Sequence, residues 1–208
     1  MIKSYDSIIF DLDGTLWDPT EVCLNSWNEV ITKSDFVQEP ITAEALQQIF
    51  GLKFDLIADI LFPTLTDKQK QKVMQDCIDH ENMYIRDQGG KLYEPLEEIL
   101  RTLTRTHRLF IVSNCQAGYI ESFLAYYQLE SYFVDFECPG NTGLDKAENI
   151  KLIIQRNNLQ APIYVGDTEG DFKASKANHL PFFFVDYGFG KVDGADVILT
   201  QLRDLLID

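Results

Sequence analysis

The amino-acid sequence predicts an α/β fold built on a parallel sheet. Five short apolar runs have the length and composition of buried strands: residues 7–10, 109–112, 132–136, 163–165 and 182–185. Between the later runs, apolar residues recur at helical spacing, as at Ile120, Phe123, Leu124 and Tyr127, and again at Ile150, Ile153 and Ile154. Strands that alternate with helices form parallel sheets with right-handed crossovers, so this alternation favours the α/β class.

The first strand is separated from the second by a long stretch with helical patterns almost throughout. Asp18-Pro19-Thr20-Glu21 is a predicted capping box, with Pro19 at the first helical position, and it opens a helix that runs to about Thr32. A second helix is expected to start at Thr42 and to carry Leu46, Ile49 and Phe50.

Two further helices are expected in the same stretch. The third stops at Pro63, and the fourth is capped by Thr66 and ends before Gly89-Gly90. The stretch begins directly after a loop that bears two acids, where a lid over a functional site would have to be attached. We therefore expect a helical cap domain at residues 19–88, inserted into a Rossmann-like core made of residues 1–18 and 89–208.

The charge and composition of the chain exclude several classes of partner. A formal net charge of −15 at pH 7 repels the phosphate backbone of nucleic acids and the surface of an anionic membrane. The N-terminus has no signal-peptide apolar region, and no apolar stretch is long enough to span a membrane. The four cysteines form no C-x-x-C pair and suit a reducing compartment. We expect a cytoplasmic protein that binds neither nucleic acid nor membranes.

The most informative motif follows the first predicted strand. Asp11-Leu12-Asp13-Gly14-Thr15 places two carboxylates, two residues apart, where a buried strand opens into a loop. Two acids at one point indicate a metal, a shared proton or acid/base chemistry. The same pattern begins calcium loops, but an EF-hand requires Gly and Glu where this chain has Leu16 and Val22, so that interpretation fails.

Polar residues also follow the other predicted strands. Ser113-Asn114 comes directly after the second strand, Lys146 begins the helix after the third, and Asp167 and Asp171 follow the fourth. Taken alone, Ser113-Asn114 is typical of a helix cap and Gly166-Asp167 of a turn. Because the carboxyl ends of parallel strands meet at one edge of a sheet, we expect all of these residues to share one crevice with Asp11 and Asp13.

Lys146 stands out because its position opposes its own helix. Asp145-Lys146-Ala147-Glu148 is a predicted capping box, which puts the ammonium group in the first turn. The helix dipole disfavours a cation there by roughly 0.3–1 kcal/mol, which suggests that Lys146 binds an anion. A second glycine-containing segment, Gly188-Phe189-Gly190, lacks the third Gly of a dinucleotide-binding loop, since residue 193 is Asp.

Together these residues fit phosphoryl transfer. Oxygen-only ligands at Asp11, Asp13 and Asp167 suit Mg²⁺, which binds through a few carboxylates and substrate phosphate. The Ser113 hydroxyl and Lys146 would neutralise phosphoryl oxygens. One Asp can then attack phosphorus while its neighbour handles the proton of the leaving group.

In this order and spacing, the four motifs resemble those of the haloacid dehalogenase superfamily, in particular its small-cap phosphatases similar to phosphoglycolate phosphatase. The matching pieces are Asp11-Leu12-Asp13-Gly14-Thr15, Ser113-Asn114, Lys146 and Gly166-Asp167-x-x-x-Asp171. The resemblance implies a Rossmann-like sheet with the first strand central, in the order 5-4-1-2-3, an all-helical cap and a small phosphorylated metabolite as substrate.

The resemblance also implies a role for each residue. Asp11 would be the nucleophile that forms an aspartyl-phosphate, and Asp13 the acid that protonates the leaving oxygen and then activates water. Ser113, Asn114 and Lys146 would bind phosphate. Mg²⁺ would be held by the Asp11 carboxylate, the Asp13 carbonyl and Asp167, with Asp171 as a further ligand or as support.

Several functions stay open at this point. The loop before Lys146 departs from the Gly-Lys-Pro of many relatives, so it does not indicate a substrate, and Phe50-Gly51-Leu52-Lys53 resembles the cap specificity loop, in which Gly51 and Lys53 could contact substrate. A phosphomutase of the β-phosphoglucomutase type shares the core motifs. A non-catalytic protein that binds a phospho-metabolite would be expected to lack at least one of Asp11, Asp13, Lys146 and Asp167, and all four are present. Asp13 and Asp167 argue against a dehalogenase. The chain could be a monomer or a homodimer.

Overall fold

The structure is a computed structural model that describes residues 2–37, 39–52 and 54–207. A six-stranded parallel sheet lies at its centre, and a two-stranded antiparallel ribbon lies apart from it. In chain order the strands are β1 (Ser7–Phe10), β2 (Trp17–Asp18), β3 (Lys91–Leu92), β4 (Arg108–Val112), β5 (Phe133–Glu137), β6 (Pro162–Gly166), β7 (Phe182–Val185) and β8 (Val197–Leu199).

The order of the sheet is β5-β4-β1-β6-β7-β8. Read from the other edge and without β8, this is the predicted order 5-4-1-2-3 with the first strand central, so the fold class and the strand order are confirmed. Strand β1 pairs with β4 on one side and β6 on the other, with Phe10 opposite Ile111 and Val165. The three strand ends therefore lie side by side. Strand β8 was not predicted, because its three residues are too few to establish a period.

Nine α-helices are assigned within the described residues, and α1, α3 and α4 end within a residue or two of the predicted positions. They are α1 (Thr20–Ile31), α2 (Ala43–Gln47), α3 (Phe54–Leu61), α4 (Asp67–Gln88), α5 (Leu96–Leu103), α6 (Tyr119–Tyr127), α7 (Pro139–Thr142), α8 (Lys146–Asn157) and α9 (Glu169–Ala177). Helices α1 and α4 pack against each other, and α4 also packs against α6.

Two details of the predicted helices are wrong. Asp18 and Glu21 form no capping box: Pro19 is the residue before the helix, and the Asp18 carboxylate instead accepts a hydrogen bond of 2.9 Å from the backbone N–H of Thr20. Helix α2 ends at Gln47, so Ile49 and Phe50 lie in the turn after it. The Thr42 cap is correct, because its hydroxyl accepts from the N–H of Ala45 at 3.2 Å.

The strands bury alternate side chains on the two faces of the sheet. Ile8 and Phe10 belong to a cluster that includes Trp17 and Phe123, whereas Ile9 belongs to a second cluster, with Ile153 of α8. Full burial of both faces explains why the strands are continuous apolar runs in the sequence. All four cysteines are buried free thiols.

Among the residues described, no helix combines the length and the apolar character needed to cross a membrane.

Candidate active site

The first acidic residue lies where β1 ends. The N–H of Asp11 donates to the carbonyl of Val165 at 2.8 Å, which continues the pairing of β1 with β6 by one residue. The chain then turns sharply: Gly14 has a φ of +81°, and its N–H donates to the carbonyl of Trp17 at 2.9 Å. This turn holds Asp11 and Asp13 close together at the carboxyl edge of the sheet.

Lys146 joins two of the acids. Its Nζ lies 2.7 Å from Oδ1 of Asp11 and 2.5 Å from Oδ1 of Asp171, and all three side chains are buried. The predicted capping box between Asp145 and Glu148 is present, so the ammonium group lies in the first turn of α8. Burial lowers the pKa of Lys146, but the charges of Asp11 and Asp171 outweigh it and hold that pKa well above its ordinary value. Lys146 is therefore a fixed cation between two carboxylates.

Asp167, at the end of β6, is enclosed by two glycine-containing loops. Its Oδ2 accepts from the N–H of Phe189 at 2.7 Å, and its Oδ1 lies 3.5 Å from the Thr15 hydroxyl. A Cβ added at Gly14 would lie 2.2 Å from Oδ2 of Asp167, and one added at Gly188 would lie 2.3 Å from its Cβ. Glycine at both positions is therefore required for this close approach of the backbone.

Three carboxylates form a compact oxygen cluster. One oxygen from each of Asp11, Asp167 and Asp171 lies within 4.8 Å of the others, and all three residues are buried. Burial and the charge of Asp171 raise the pKa of Asp11 to about 6, and burial with the charges of Asp171 and Asp11 raises that of Asp167 well above its ordinary value. The single ammonium of Lys146 does not balance three acids, so the cluster fits a bound divalent cation with oxygen ligands, such as Mg²⁺.

Asp13 lies outside that cluster and has different partners. Its Oδ1 accepts hydrogen bonds from the indole N–H of Trp17 at 2.7 Å and from the Tyr119 hydroxyl at 3.0 Å. Enclosure by protein and the charge of Asp11 raise the pKa of Asp13 to about 8, in spite of these two donors. The two neighbouring acids therefore differ: Asp11 is paired with a cation, and Asp13 favours its protonated form at neutral pH.

The sequence profile of the haloacid dehalogenase-like hydrolases matches residues 8–185, a span that includes all of these acids and Lys146. The chain belongs to this family.

Proteins similar to this hydrolase match it over almost its whole length. A 5'-nucleotidase from Pseudomonas aeruginosa is 24% identical over 198 residues, which cover 91% of this chain and 86% of that protein. Among solved structures, a predicted phosphoglycolate phosphatase from Haemophilus somnus has a TM-score of 0.84 at 17% identity and covers 99% of this chain and 98% of its own. A haloacid dehalogenase-like family protein from Streptococcus pneumoniae has a TM-score of 0.80 at 20% identity, with 98% and 97% covered.

Ser113 and Asn114 of this hydrolase follow β4 at the same edge of the sheet. Ser113 is buried, with its N–H donating to the carbonyl of Glu137 at 3.3 Å. The Asn114 amide donates to the carbonyl of Gly51 at 2.9 Å, so in this conformation Asn114 connects the sheet to the predicted specificity loop. Gly51 thus lies beside the site, and Lys53 lies outside the described residues.

Sequence reasoning missed several residues that shape the site of this hydrolase. Trp17 and Tyr119 hold Asp13, the backbone N–H of Phe189 holds Asp167, and the ring of Phe189 stacks on Phe50 at 4.8 Å between centroids. The signal available in the sequence for Phe189 is the pair of flanking glycines, which were considered only as part of a dinucleotide-binding loop, and that interpretation was rejected. Tyr119 carries no local signal, because its partner is 106 residues away in the chain.

Proposed function

We propose that this hydrolase is a Mg²⁺-dependent phosphatase that cleaves small phosphate monoesters through an aspartyl-phosphate on Asp11. The observation that carries the proposal is the division of the two loop acids: Asp11 faces Lys146 and the oxygen cluster, and Asp13 faces two hydrogen-bond donors. A nucleophile needs a nearby cation that keeps its carboxylate ionised, and a general acid needs surroundings that favour its protonated form. The phosphatase names among its structural relatives agree with this assignment.

Asp11 is suited to attack because one of its oxygens is already paired. Its Oδ1 accepts from Lys146 at 2.7 Å, which keeps the carboxylate ionised and oriented. In the first step an Asp11 oxygen forms a bond to phosphorus, and the bond between phosphorus and the ester oxygen breaks. Asp13 gives its proton to the departing oxygen, so the leaving group departs as a neutral alcohol.

The second step restores the enzyme. Asp13, now ionised, takes a proton from water, and the water oxygen bonds to phosphorus as the bond to Asp11 breaks. The products are inorganic phosphate and the original Asp11 carboxylate, with Asp13 protonated again. Ser113 and Lys146 would hold the phosphoryl oxygens during both steps, and Asn114 would assist once its contact with Gly51 opens.

Mg²⁺ would be held by Asp11, Asp167 and the Asp13 carbonyl, with Asp171 beside them. When bound, it supplies positive charge that offsets the repulsion between the acids and between Asp11 and the incoming phosphate. Asp171 has a supporting role, since its Oδ2 accepts from the backbone N–H and the hydroxyl of Thr168 at 2.9 and 2.6 Å.

The predicted division into domains would give this site a lid. We assign residues 1–18 and 89–208 to the catalytic core and residues 19–88 to a cap that closes over the site. Three contacts support the assignment: Asn114 to the Gly51 carbonyl, Phe50 on Phe189, and the Gln116 amide to Glu81 at 2.6 Å. All three would have to break for the cap to open and exchange substrate for product.

Phosphate release from a panel of phosphate monoesters, with Mg²⁺ and with chelator, tests the proposal. We expect release with Mg²⁺ only, none in Asp11→Asn, and a stalled reaction in Asp13→Asn, either at ester cleavage or at breakdown of the phosphoenzyme. Asp186→Asn is the matched control, because Asp186 is an exposed acid that follows β7. Unchanged turnover in Asp11→Asn would exclude this mechanism, and conversion of a sugar monophosphate only with its bisphosphate primer would indicate the mutase instead.

A further inference from the structure

A small cavity lies directly beside Asp13, where the alcohol of a bound ester would leave. Its volume is about 40 Å³, and it lies between α1, α2 and the turn after α2, α3, α4, the loop that follows β4 and the start of α6. A water-sized group needs roughly 10–15 Å³ of such space, so the cavity has room for about three non-hydrogen atoms without movement of its walls. The cavity can therefore hold only a very small leaving group.

The walls of this cavity are mostly apolar. They include Trp27, Leu46, Ile49, Phe50, Leu52 and Ile57, all of which belong to the predicted cap. Trp27, Leu46 and Ile49 are almost completely buried. An apolar wall of this kind favours an uncharged chain of carbon atoms and supplies no compensation for a buried charge.

Polar groups interrupt the apolar wall, and the acidic one contributed by the predicted cap is Glu81; the others are Asp13, Asn114, Gln116 and Tyr119. Glu81 of α4 is 4% exposed, and its two oxygens accept from different donors: Oε1 from the Trp27 indole N–H at 2.9 Å and Oε2 from the Gln116 amide at 2.6 Å. Burial raises the pKa of Glu81, and the hydrogen bonds from both partners oppose that rise because they favour the ionised carboxylate. Each oxygen has a second lone pair, so Glu81 can accept a further hydrogen bond from a molecule in the cavity.

The charge of the cavity has one sign. Asp13 and Glu81 line it, and none of its lining residues within the described chain is Lys, Arg or His. A carboxylate or second phosphate on the leaving group would be buried against Glu81, and no described lining residue supplies a counter-ion, which is strongly unfavourable. A hydroxyl or ammonium group would instead find an acceptor in Glu81.

We propose that this cavity is the leaving-group pocket, and that Glu81 makes the enzyme select small monoesters whose alcohol carries a hydroxyl or ammonium group and reject those whose alcohol carries a negative charge. The inference rests on the proposed phosphatase function and deepens it. It excludes phosphoglycolate as a preferred substrate, although structural relatives of this chain are named after it.

Four esters of similar size test the selection in the wild-type protein: 2-hydroxyethyl phosphate, phosphoethanolamine, propyl phosphate and 2-phosphoglycolate. We expect kcat/KM for 2-hydroxyethyl phosphate and phosphoethanolamine to exceed that for phosphoglycolate by at least about tenfold, because a polar group that meets a matched partner changes selectivity on that scale or more. The value for propyl phosphate should lie between those of the two favoured esters and that of phosphoglycolate. Hydrolysis of methyl phosphate in the same assay reports the basal phosphatase activity, because the methanol that leaves fits a cavity of this size.

The variant Glu81→Gln keeps the size of the side chain and removes its charge. We expect the ratio of kcat/KM between 2-hydroxyethyl phosphate and phosphoglycolate to fall to about one, since the amide can donate to a carboxylate. The matched control is Glu21→Gln, which removes an exposed charge from α1 and leaves the ratio unchanged. Lys53→Met removes the positive charge of the residue after Leu52, which lies outside the described residues, and a ratio that changes there but not in Glu81→Gln would overturn the inference.

The outcomes separate the two proposals. No hydrolysis of any ester with Mg²⁺ overturns the phosphatase function and this inference together. Hydrolysis of methyl phosphate with phosphoglycolate as the best of the four esters overturns the inference alone, most directly if Lys53→Met abolishes that preference. The wild-type ranking needs no folded variant, so poor folding of Glu81→Gln would not prevent this decision.

Discussion

The indole N–H of Trp17 donates to Oδ1 of Asp13 at 2.7 Å, and the Tyr119 hydroxyl donates to the same oxygen at 3.0 Å. Two donors on one oxygen leave Oδ2 as the oxygen that carries the proton of the acid. Trp17 is buried and packs edge-on against Tyr119, with ring centroids 6.1 Å apart, so the two donors also hold each other in place. The orientation of the proposed general acid therefore depends on an aromatic cluster.

We predict that Tyr119→Phe lowers kcat by roughly three- to tenfold with a smaller effect on KM, because one hydrogen bond worth about 0.5–1.5 kcal/mol no longer orients Asp13. Steady-state kinetics with a good substrate measure both constants. Tyr132→Phe is the control, since Tyr132 donates to Glu97 at the surface. An unchanged kcat in Tyr119→Phe would show that Trp17 is sufficient to orient Asp13.

Gly14→Ala should be far more damaging than Gly143→Ala. Both glycines have positive φ, +81° and +71°, so alanine costs about 1–2 kcal/mol of left-handed strain at either position. Only at Gly14 would the new Cβ also collide with Oδ2 of Asp167, whereas at Gly143 nothing lies within 4 Å of it.

Urea unfolding of the two glycine variants, together with Mg²⁺ titration, measures the difference. We expect Gly143→Ala to lose only the conformational cost and to keep its Mg²⁺ affinity. Gly14→Ala should lose more stability and bind Mg²⁺ weakly, because Asp167 must move. Equal losses in the two variants would contradict the close approach of Gly14 to Asp167.

The metal-free protein should become less stable as pH rises from about 4 to 8. The pKa of Asp13 is raised from 3.8 to about 8, and that of Asp11 from 3.8 to about 6. Within this window the folded protein therefore binds more protons than the unfolded chain. Stability falls with increasing pH by about 1.4 kcal/mol per unit for each proton of difference, and the fall ends above the folded pKa values.

Urea unfolding in chelator at pH 5, 6, 7 and 8 measures this slope. We expect Mg²⁺ to compete with protons at the acidic cluster, so the rise in Tm that it produces should grow with pH over the same range. Asp13→Asn should reduce the slope of the metal-free curve between pH 6 and 8 and leave the parts caused by Asp11 and Asp167. A metal-free protein whose stability increases from pH 5 to 8 would contradict these pKa shifts.

Much of this fold could be predicted from local patterns. The five predicted strands are present within a residue or two at each end, because strands buried on both faces are continuous apolar runs. Helix α4 begins after Thr66 and ends before Gly89 as expected, since a polar cap and a glycine mark its limits. The capping box at Asp18 failed because Asp18 belongs to the β2–β3 ribbon, and a ribbon partner more than 70 residues away has no local signal.

The charged residues of the site were predictable for a related reason. Asp11, Lys146, Asp167 and Asp171 follow or lie near the carboxyl ends of strands, and a parallel sheet brings those ends to one edge. The structure brings these residues together, whereas the Asn114 amide donates to the Gly51 carbonyl. Neither Glu81 nor Tyr119 was foreseen, because each lies on a helix whose own periodicity explains its position without reference to Asp13.

The order of chemical groups along the chain was thus enough to identify the α/β fold, its central strand and the edge where the acids meet, since these follow from periodicity and from the geometry of parallel strands. Which acid is paired with a cation, which is held by neutral donors and what lines the space beside it depended on tertiary structure. Hydrogen bonds such as those from Tyr119 to Asp13 and from Gln116 to Glu81 join residues 106 and 35 positions apart. Their strength depends on distances of a few ångströms, which only the packing of the helices against the sheet sets.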